Sequence, residues 1–178
     1  MDVYLDANAV INCMKLGCWG AVLRLATYRH LIAENVVIEV RHPAQARLLR
    51  RTLARNVLRQ VALVEVTELR MYAELKVRLG DGEAASLALA AVYGGCIASD
   101  ERGRFRREAE RLLGPGRIIR TVDLVTEALE AGTITLGLLR VRTSRRIRAA
   151  RSAGKENEAL HLSGLLREIE MRLGQRGT

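Results

Sequence analysis

The chain has 178 residues, enough to bury a core of its own, and its 49% apolar content excludes a disordered polypeptide. Aromatic residues make up 3%, so Leu, Val, Ile and Ala must build that core. The balance of 29 Lys and Arg against 20 Asp and Glu gives a net charge of +9, a surface that attracts phosphate polyanions, and its abundant Arg suits bidentate phosphate contacts.

Residues 2–6 read as a short buried strand, and Ala7 to Ile11 can start a helix. A second helical stretch is expected from Ala21 to Arg29. The apolar segment from Ala33 to Val40 is ambiguous between strand and helix, because so short a run does not settle the period. Pro43 fits the first turn of a helix to about Asn56 that exposes Arg47, Arg50, Arg51 and Arg55. Val61 to Val66 reads as a strand of the continuous apolar kind found in parallel sheets. Thr67 is a candidate N-cap for a helix ending at Gly80. Asp81-Gly82-Glu83 opens another, rich in Ala, that Gly94-Gly95 stops. Cys96 to Ser99 is a strand, Arg102 to Leu113 a helix, and Arg117 to Arg120 a last short strand. Thr121 caps a helix ending near Gly132. Two further helices, about 136–153 and 156–173, complete the chain.

Alternating strands and helices argue for a parallel sheet covered on both faces. The expected division is a domain over 1–134 and a helical extension over 135–178, packed on that domain or in a dimer. Cys13, Cys18 and Cys96 lack CxxC spacing, which argues against a zinc site and a disulfide framework. No apolar run reaches membrane-spanning length, and Asp2 stands where a signal peptide would carry positive charge. The expectation is a cytoplasmic protein without membrane contact. His30, His42 and His161 show no ligand spacing and read as structural or surface residues.

Four acids stand out in this basic chain. Asp6 follows the first strand, Asp100 follows the strand at 96–99, Glu83 begins a helix, and Glu39 lies in the ambiguous segment. In parallel α/β sheets ligands bind outside the carboxyl ends of the strands, where these acids would converge. Converging carboxylates raise one another's pKa unless a cation neutralises them. Mg²⁺ or Mn²⁺ suits oxygen ligands and serves phosphodiester hydrolysis. Taken singly, the same residues read as helix caps, first-turn acids or solvated positions.

Val3-Tyr4-Leu5-Asp6-Ala7-Asn8-Ala9-Val10-Ile11 resembles the opening motif of PIN-domain nucleases. Gly82-Glu83-Ala84-Ala85-Ser86-Leu87-Ala88-Leu89-Ala90 is similar to the GEAEAIALA helix of one VapC-like branch of that family. Ile97-Ala98-Ser99-Asp100-Glu101-Arg102 resembles that branch's strand followed by two acids and Arg, with Glu101 in place of the more usual second Asp. Val36 to Val40 matches the looser helix carrying the second acid. Thr121 stands at the Gly-Thr-led helix, with Arg120 in place of the Gly. The resemblance covers about residues 2–132.

It implies a PIN-like three-layer fold, with a central parallel sheet flanked by helices and followed by the C-terminal helical extension. It also implies a Mg²⁺- or Mn²⁺-dependent endoribonuclease. Asp6, Glu83 and Asp100 would hold the metal directly or through water, and Glu39 would orient the attacking water. Asn8 and Ser99 would hydrogen-bond those carboxylates, with Glu101 beside them. In-line attack would leave a 3′-hydroxyl and a 5′-phosphate. Arg47, Arg51, Arg102 and Arg145 are candidate phosphate contacts. The family's toxins imply an RNA substrate, a homodimer and a small antitoxin partner in a VapBC-type pair. The alternative is a non-catalytic or weakly active PIN-like protein that binds RNA or a partner. Phosphatases and receiver domains that place Asp after strands fit less well: Asp6-Ala7-Asn8 lacks a second Asp, and no Lys follows a late strand.

Overall fold

The computed structural model describes residues 1–176 and is an α/β protein. Its strands are β1 (Asp2–Leu5), β2 (Arg29–Ala33), β3 (Arg59–Val61), β4 (Cys96–Ala98) and β5 (Ile118–Ile119). All pair in parallel, in the order β3-β2-β1-β4-β5. The strand order reverses between β1 and β4, which are hydrogen-bonded neighbours. Such a reversal opens a crevice at the carboxyl edge. Val3, Tyr4 and Leu5 are buried, as a central parallel strand requires.

The helices are α1 (Ala7–Lys15), α2 (Trp19–Val22), α3 (Glu34–Glu39), α4 (Pro43–Ala54), α5 (Val66–Lys76), α6 (Asp81–Tyr93), α7 (Arg104–Leu113), α8 (Thr121–Glu130), α9 (Leu136–Ser152) and α10 (Glu156–Arg176). Backbone contacts divide the chain into two compact units, residues 1–11 with 26–120, and 12–25 with 121–178. In the first, α6 packs against β1, β2 and β4 and against α3, α5 and α7. Its run from Ala84 to Ala90 is wholly buried, and the small side chains let the helix approach the sheet closely. Leu75, Leu87, Ala88, Ile97, Phe105 and Ala109 form the core between them. Gly94, in the left-handed conformation at φ 68°, ends α6 and returns the chain to β4.

In the second unit α10 packs on α8 and α9 and buries Ala159, Leu162, Leu165 and Ile169. The Arg142 guanidinium donates to Gly17 O (2.8 Å) and the Thr143 hydroxyl to Leu16 O (3.2 Å). His161 hydrogen-bonds Asn12 Oδ1 at 3.1 Å. No helix among the described residues is long and apolar enough to cross a membrane.

Three expected elements differ from those observed. The helix expected over 21–29 is absent: α2 ends at Val22, and residues 29–33 form β2. Leu31, Ile32 and Ala33 are buried, so this short strand has no polar face to mark a period. The ambiguous segment resolves as α3. The strand expected over 61–66 lies earlier, at Arg59–Val61, and α5 starts at Val66 rather than after a Thr67 cap. Glu65 is at the N-cap position there, and its N–H donates to Glu68 Oε2 at 2.9 Å.

Candidate functional site

β1 ends at Leu5, and the Asp6 N–H still reaches across to Ala98 O on β4 (3.0 Å). That bond sets Asp6 at the carboxyl edge, beside the end of β4. The residue is only 2% exposed. Its Oδ1 accepts from the Ala7 N–H (2.8 Å) and its Oδ2 from the Ser99 hydroxyl (2.9 Å). Burial nonetheless pushes its pKa up to about 7. The two hydrogen bonds oppose that shift, and the charges of Glu83 and Glu101 add to it.

Ser99 and Asn8 tie the two strand ends together. The Ser99 hydroxyl accepts from the Glu101 N–H at 3.1 Å. Asn8 Oδ1 accepts from the Asp100 N–H (3.0 Å), and Asn8 Nδ2 donates to Glu101 Oε1 (2.8 Å). One amide side chain from the start of α1 thus fixes both acids after β4.

The N-terminus of α6 holds two more acids. Glu83 Oε2 accepts from the Gly80 N–H (2.8 Å), so it does serve as the helix-capping residue that the plain reading of a first-turn Glu supplies. Glu83 is also partly buried, and desolvation raises its pKa, with Glu101 and Glu39 adding to the shift and the Gly80 bond opposing it. Glu39, on the last turn of α3, accepts from the Gly82 N–H through Oε1 (2.8 Å). Asp81 is engaged elsewhere, by Asn35, Tyr72 and Lys76, which hold its pKa down to about 2.

The charges of Glu83 and Glu101 thus act on Asp6, and those of Glu101 and Glu39 act on Glu83. Asp100 has its backbone N–H held by Asn8. Among the described residues, no three His, Cys, Asp or Glu side chains stand close enough to hold one metal ion between them. The donors are all carboxylate oxygens, each partly occupied by a hydrogen bond. Such a set fits a hydrated Mg²⁺, which keeps several waters and needs one or two direct carboxylates. It does not fit an ion held directly by three or more.

Two features lie beyond sequence reasoning. The charge of Glu101 acts on both Asp6 and Glu83. Gly82 is what lets Glu39 approach: a Cβ there would stand 2.7 Å from its Oε2. The Gly-Glu pair at 82–83 was the available signal.

The arginines are distributed unevenly. Between Val40 and Val64 there is no acid, and Arg41, Arg47, Arg50, Arg51, Arg55 and Arg59 are all exposed. None of these six makes an ion pair among the described residues. Arg47 and Arg51 are four residues apart on one face of α4, and Arg55 is the residue that ends it. Arg102 is exposed in the loop after Glu101, and Arg145 is exposed on α9 in the other unit. No family model matches this chain, and no curated protein matches it.

Proposed function

We propose that this protein is a PIN-like, Mg²⁺- or Mn²⁺-dependent endoribonuclease. One observation carries the reading: a buried carboxyl, Asp6, sits at the strand-order reversal with its pKa raised to about 7 and two further acids acting on it. Even with its two hydrogen bonds a carboxylate so buried is costly to ionise, and a cation beside it would offset that cost. Asp6 and Glu83 would hold the hydrated ion, with Glu101 next to them and Asp100 at the adjoining strand end. When bound, the ion supplies charge neutralisation at the scissile phosphate.

The chain's own residues do the rest. Ser99 and the Ala7 N–H fix the Asp6 carboxylate, and Asn8 fixes the Asp100–Glu101 turn. Glu39, pinned by Gly82, orients a water in line with the scissile bond. Glu83, with its raised pKa, takes the water's proton as the new O–P bond forms. The P–O3′ bond breaks, the departing oxygen gains a proton from solvent, and a 3′-hydroxyl and a 5′-phosphate result. The unpaired arginines of α4 meet the RNA backbone.

The same resemblance makes the protein the toxin of a VapBC-type pair, acting in the cytoplasm as a homodimer and restrained by a small antitoxin. A small reading frame directly upstream of the gene would support that assignment.

The second reading, a non-catalytic PIN-like protein that binds RNA or a partner, is favoured by the absence of three acids gathered around one point among the described residues. A cleavage assay on single-stranded RNA separates the two. Wild type, Asp6→Asn and Glu83→Gln are compared in Mg²⁺, Mn²⁺ and EDTA. Cleavage abolished by EDTA and by either substitution is the expected result. Cleavage surviving both substitutions, or indifferent to EDTA, overturns the catalytic reading, and RNA binding without cleavage favours the second.

A further inference from the structure

At the opposite edge of the sheet lies a cavity of about 300 Å³ that the acidic site does not use. Its floor follows from strand register. Asp2 pairs with Arg29, Tyr4 with Leu31, and Leu31 with Arg59, so alternate residues of β1, β2 and β3 share one face. The start of α5 and the end of α6, with Glu65, Glu68 and Tyr93, form the other wall.

The charges in this cavity are not equally available. Asp2 is held by Arg29 through two hydrogen bonds. Glu68 accepts from the Val64 and Glu65 N–H groups and from the Tyr93 hydroxyl, and Glu65 stands at the N-cap position of α5. Asp2 and Glu68 therefore each have a structural task. Arg59 has no ion-pair or hydrogen-bond partner among the described residues. Tyr4 lines the cavity and is 2% exposed, and its hydroxyl makes no hydrogen bond among the described residues. Burial raises that hydroxyl's pKa to about 12, so it is a neutral donor at all physiological pH.

Tyr4 and Arg59 flank Leu31 in one row across adjacent strands, roughly 10 Å apart at the backbone. The row presents a hydroxyl donor, an apolar floor and an exposed guanidinium whose charge also acts on Asp2. Tyr93 and Val64 supply apolar wall above it. A molecule matching this row has a planar apolar body, an acceptor at one end and an anion at the other. From this juxtaposition we propose that the cavity binds a nucleoside monophosphate, with the base over Leu31 within reach of the Tyr4 hydroxyl and the phosphate on Arg59. The volume suits a ligand of that size. The inference stands on the cavity alone and does not depend on the carboxyl-edge acids being catalytic.

The test is calorimetric titration of the full chain in EDTA with AMP, GMP, CMP and UMP, and separately with inorganic phosphate and adenosine. Arg59→Ala, Tyr4→Phe and Arg167→Ala are carried alongside, with circular dichroism to establish folding. At least one nucleotide should saturate in the micromolar to low millimolar range and exceed phosphate and adenosine. Arg59→Ala should weaken it by about tenfold or more, and Tyr4→Phe by about threefold or more, since each removes one directed hydrogen bond. Arg167→Ala, which removes an exposed guanidinium of α10, should leave it unchanged. Absence of saturation at 10-fold above that range overturns the proposal. So does binding indifferent to Arg59→Ala and Tyr4→Phe in folded proteins, or phosphate binding as tightly as any nucleotide. If Tyr4→Phe fails to fold, Arg59→Ala, on an exposed side chain, decides alone.

Discussion

The Gly82 N–H donates to Glu39 Oε1 at 2.8 Å, and the space a Cβ would need at Gly82 is occupied by that same carboxylate. The second turn-forming residue of α6 is thus a cradle for an acid delivered by α3. Gly82→Ala should displace the Glu39 carboxylate while leaving the helix intact, because Ala favours helix more than Gly does and the obstructing atoms are the end of a flexible side chain. RNA cleavage should fall by about tenfold or more, since misplacement near 1 Å can cost as much as a hundredfold. In a Glu39→Ala background the same substitution should add no further loss. Additive losses in the double variant would show that Gly82 acts other than through Glu39.

Asp6 makes stability depend on pH in a direction opposite to most surface carboxylates. Its pKa in the folded chain, about 7, lies above its ordinary 3.8. The folded state therefore holds a proton that the unfolded state releases. Asp6 favours folding fully below pH 3.8, and that contribution is lost as pH rises through about 7. In EDTA, Asp6→Asn should be more stable than wild type at pH 8 by on the order of 2 kcal/mol, with the gain shrinking toward pH 4. Urea melts of both proteins across that range are the measurement, and parallel pH profiles would exclude the assignment.

Glu101 and Asp100 should separate under the same treatment. Glu101 raises the pKa of Asp6 and accepts from Asn8, whereas Asp100 is tied in through its backbone N–H. Glu101→Gln should lower the Asp6 titration midpoint, read by carbon-detected NMR of the carboxyl, and lower cleavage. Asp100→Asn should move that midpoint less. The reverse order would restore Asp100 to the place that motif order alone gives it.

The difference between these two acids marks how far the sequence could be read. The acids at the ends of the first and fourth strands, and Glu83 at a helix start, are legible because Asp6, Ser99-Asp100 and Gly82-Glu83 each sit where an apolar run meets a breaker. That Glu101 acts on Asp6 and Glu83 depends on the turn that Asn8 fixes from 91 residues or more away in sequence, and no local pattern carries that. The strand at 29–33 was illegible for a related reason. It is short, buried and opened by Arg29, whose place is explained only by its partner Asp2 across the sheet. Likewise β3 ends early because Glu65 and Glu68 pull the start of α5 forward.

The acid-free segment from Arg41 to Arg59 gives a salt-dependent prediction. Arg47 and Arg51 are one turn apart on α4 and make no ion pair among the described residues. Replacing both with Ala should weaken RNA binding in EDTA similarly for all sequences. It should also flatten the slope of log affinity against log salt by about 1.4, at ~0.7 per phosphate contact on a single strand. Fluorescence anisotropy at several salt concentrations measures this, and an unchanged slope would remove α4 from the RNA surface.

Glu68 offers the sharpest test of what holds α5 in place. It is 2% exposed, and its carboxylate accepts from the Val64 and Glu65 N–H groups and from the Tyr93 hydroxyl. Desolvation works to raise its pKa, but the three donors prevail and hold it below the ordinary carboxylate range. A depressed carboxyl pKa contributes stability above the unfolded value and loses it as pH falls through the folded one. Glu68→Ala strips the cap from α5 and leaves two backbone N–H groups and a phenol to find other partners. A loss of roughly 2–3 kcal/mol is expected at pH 7. Glu68→Gln keeps one acceptor oxygen and should lose less, because Gln at that position can still accept from the Glu65 N–H. Chemical denaturation ranks the three proteins. If Gln costs as much as Ala, the negative charge rather than the cap geometry anchors the helix, and the loss in wild type should then set in on acidification below pH 4.5.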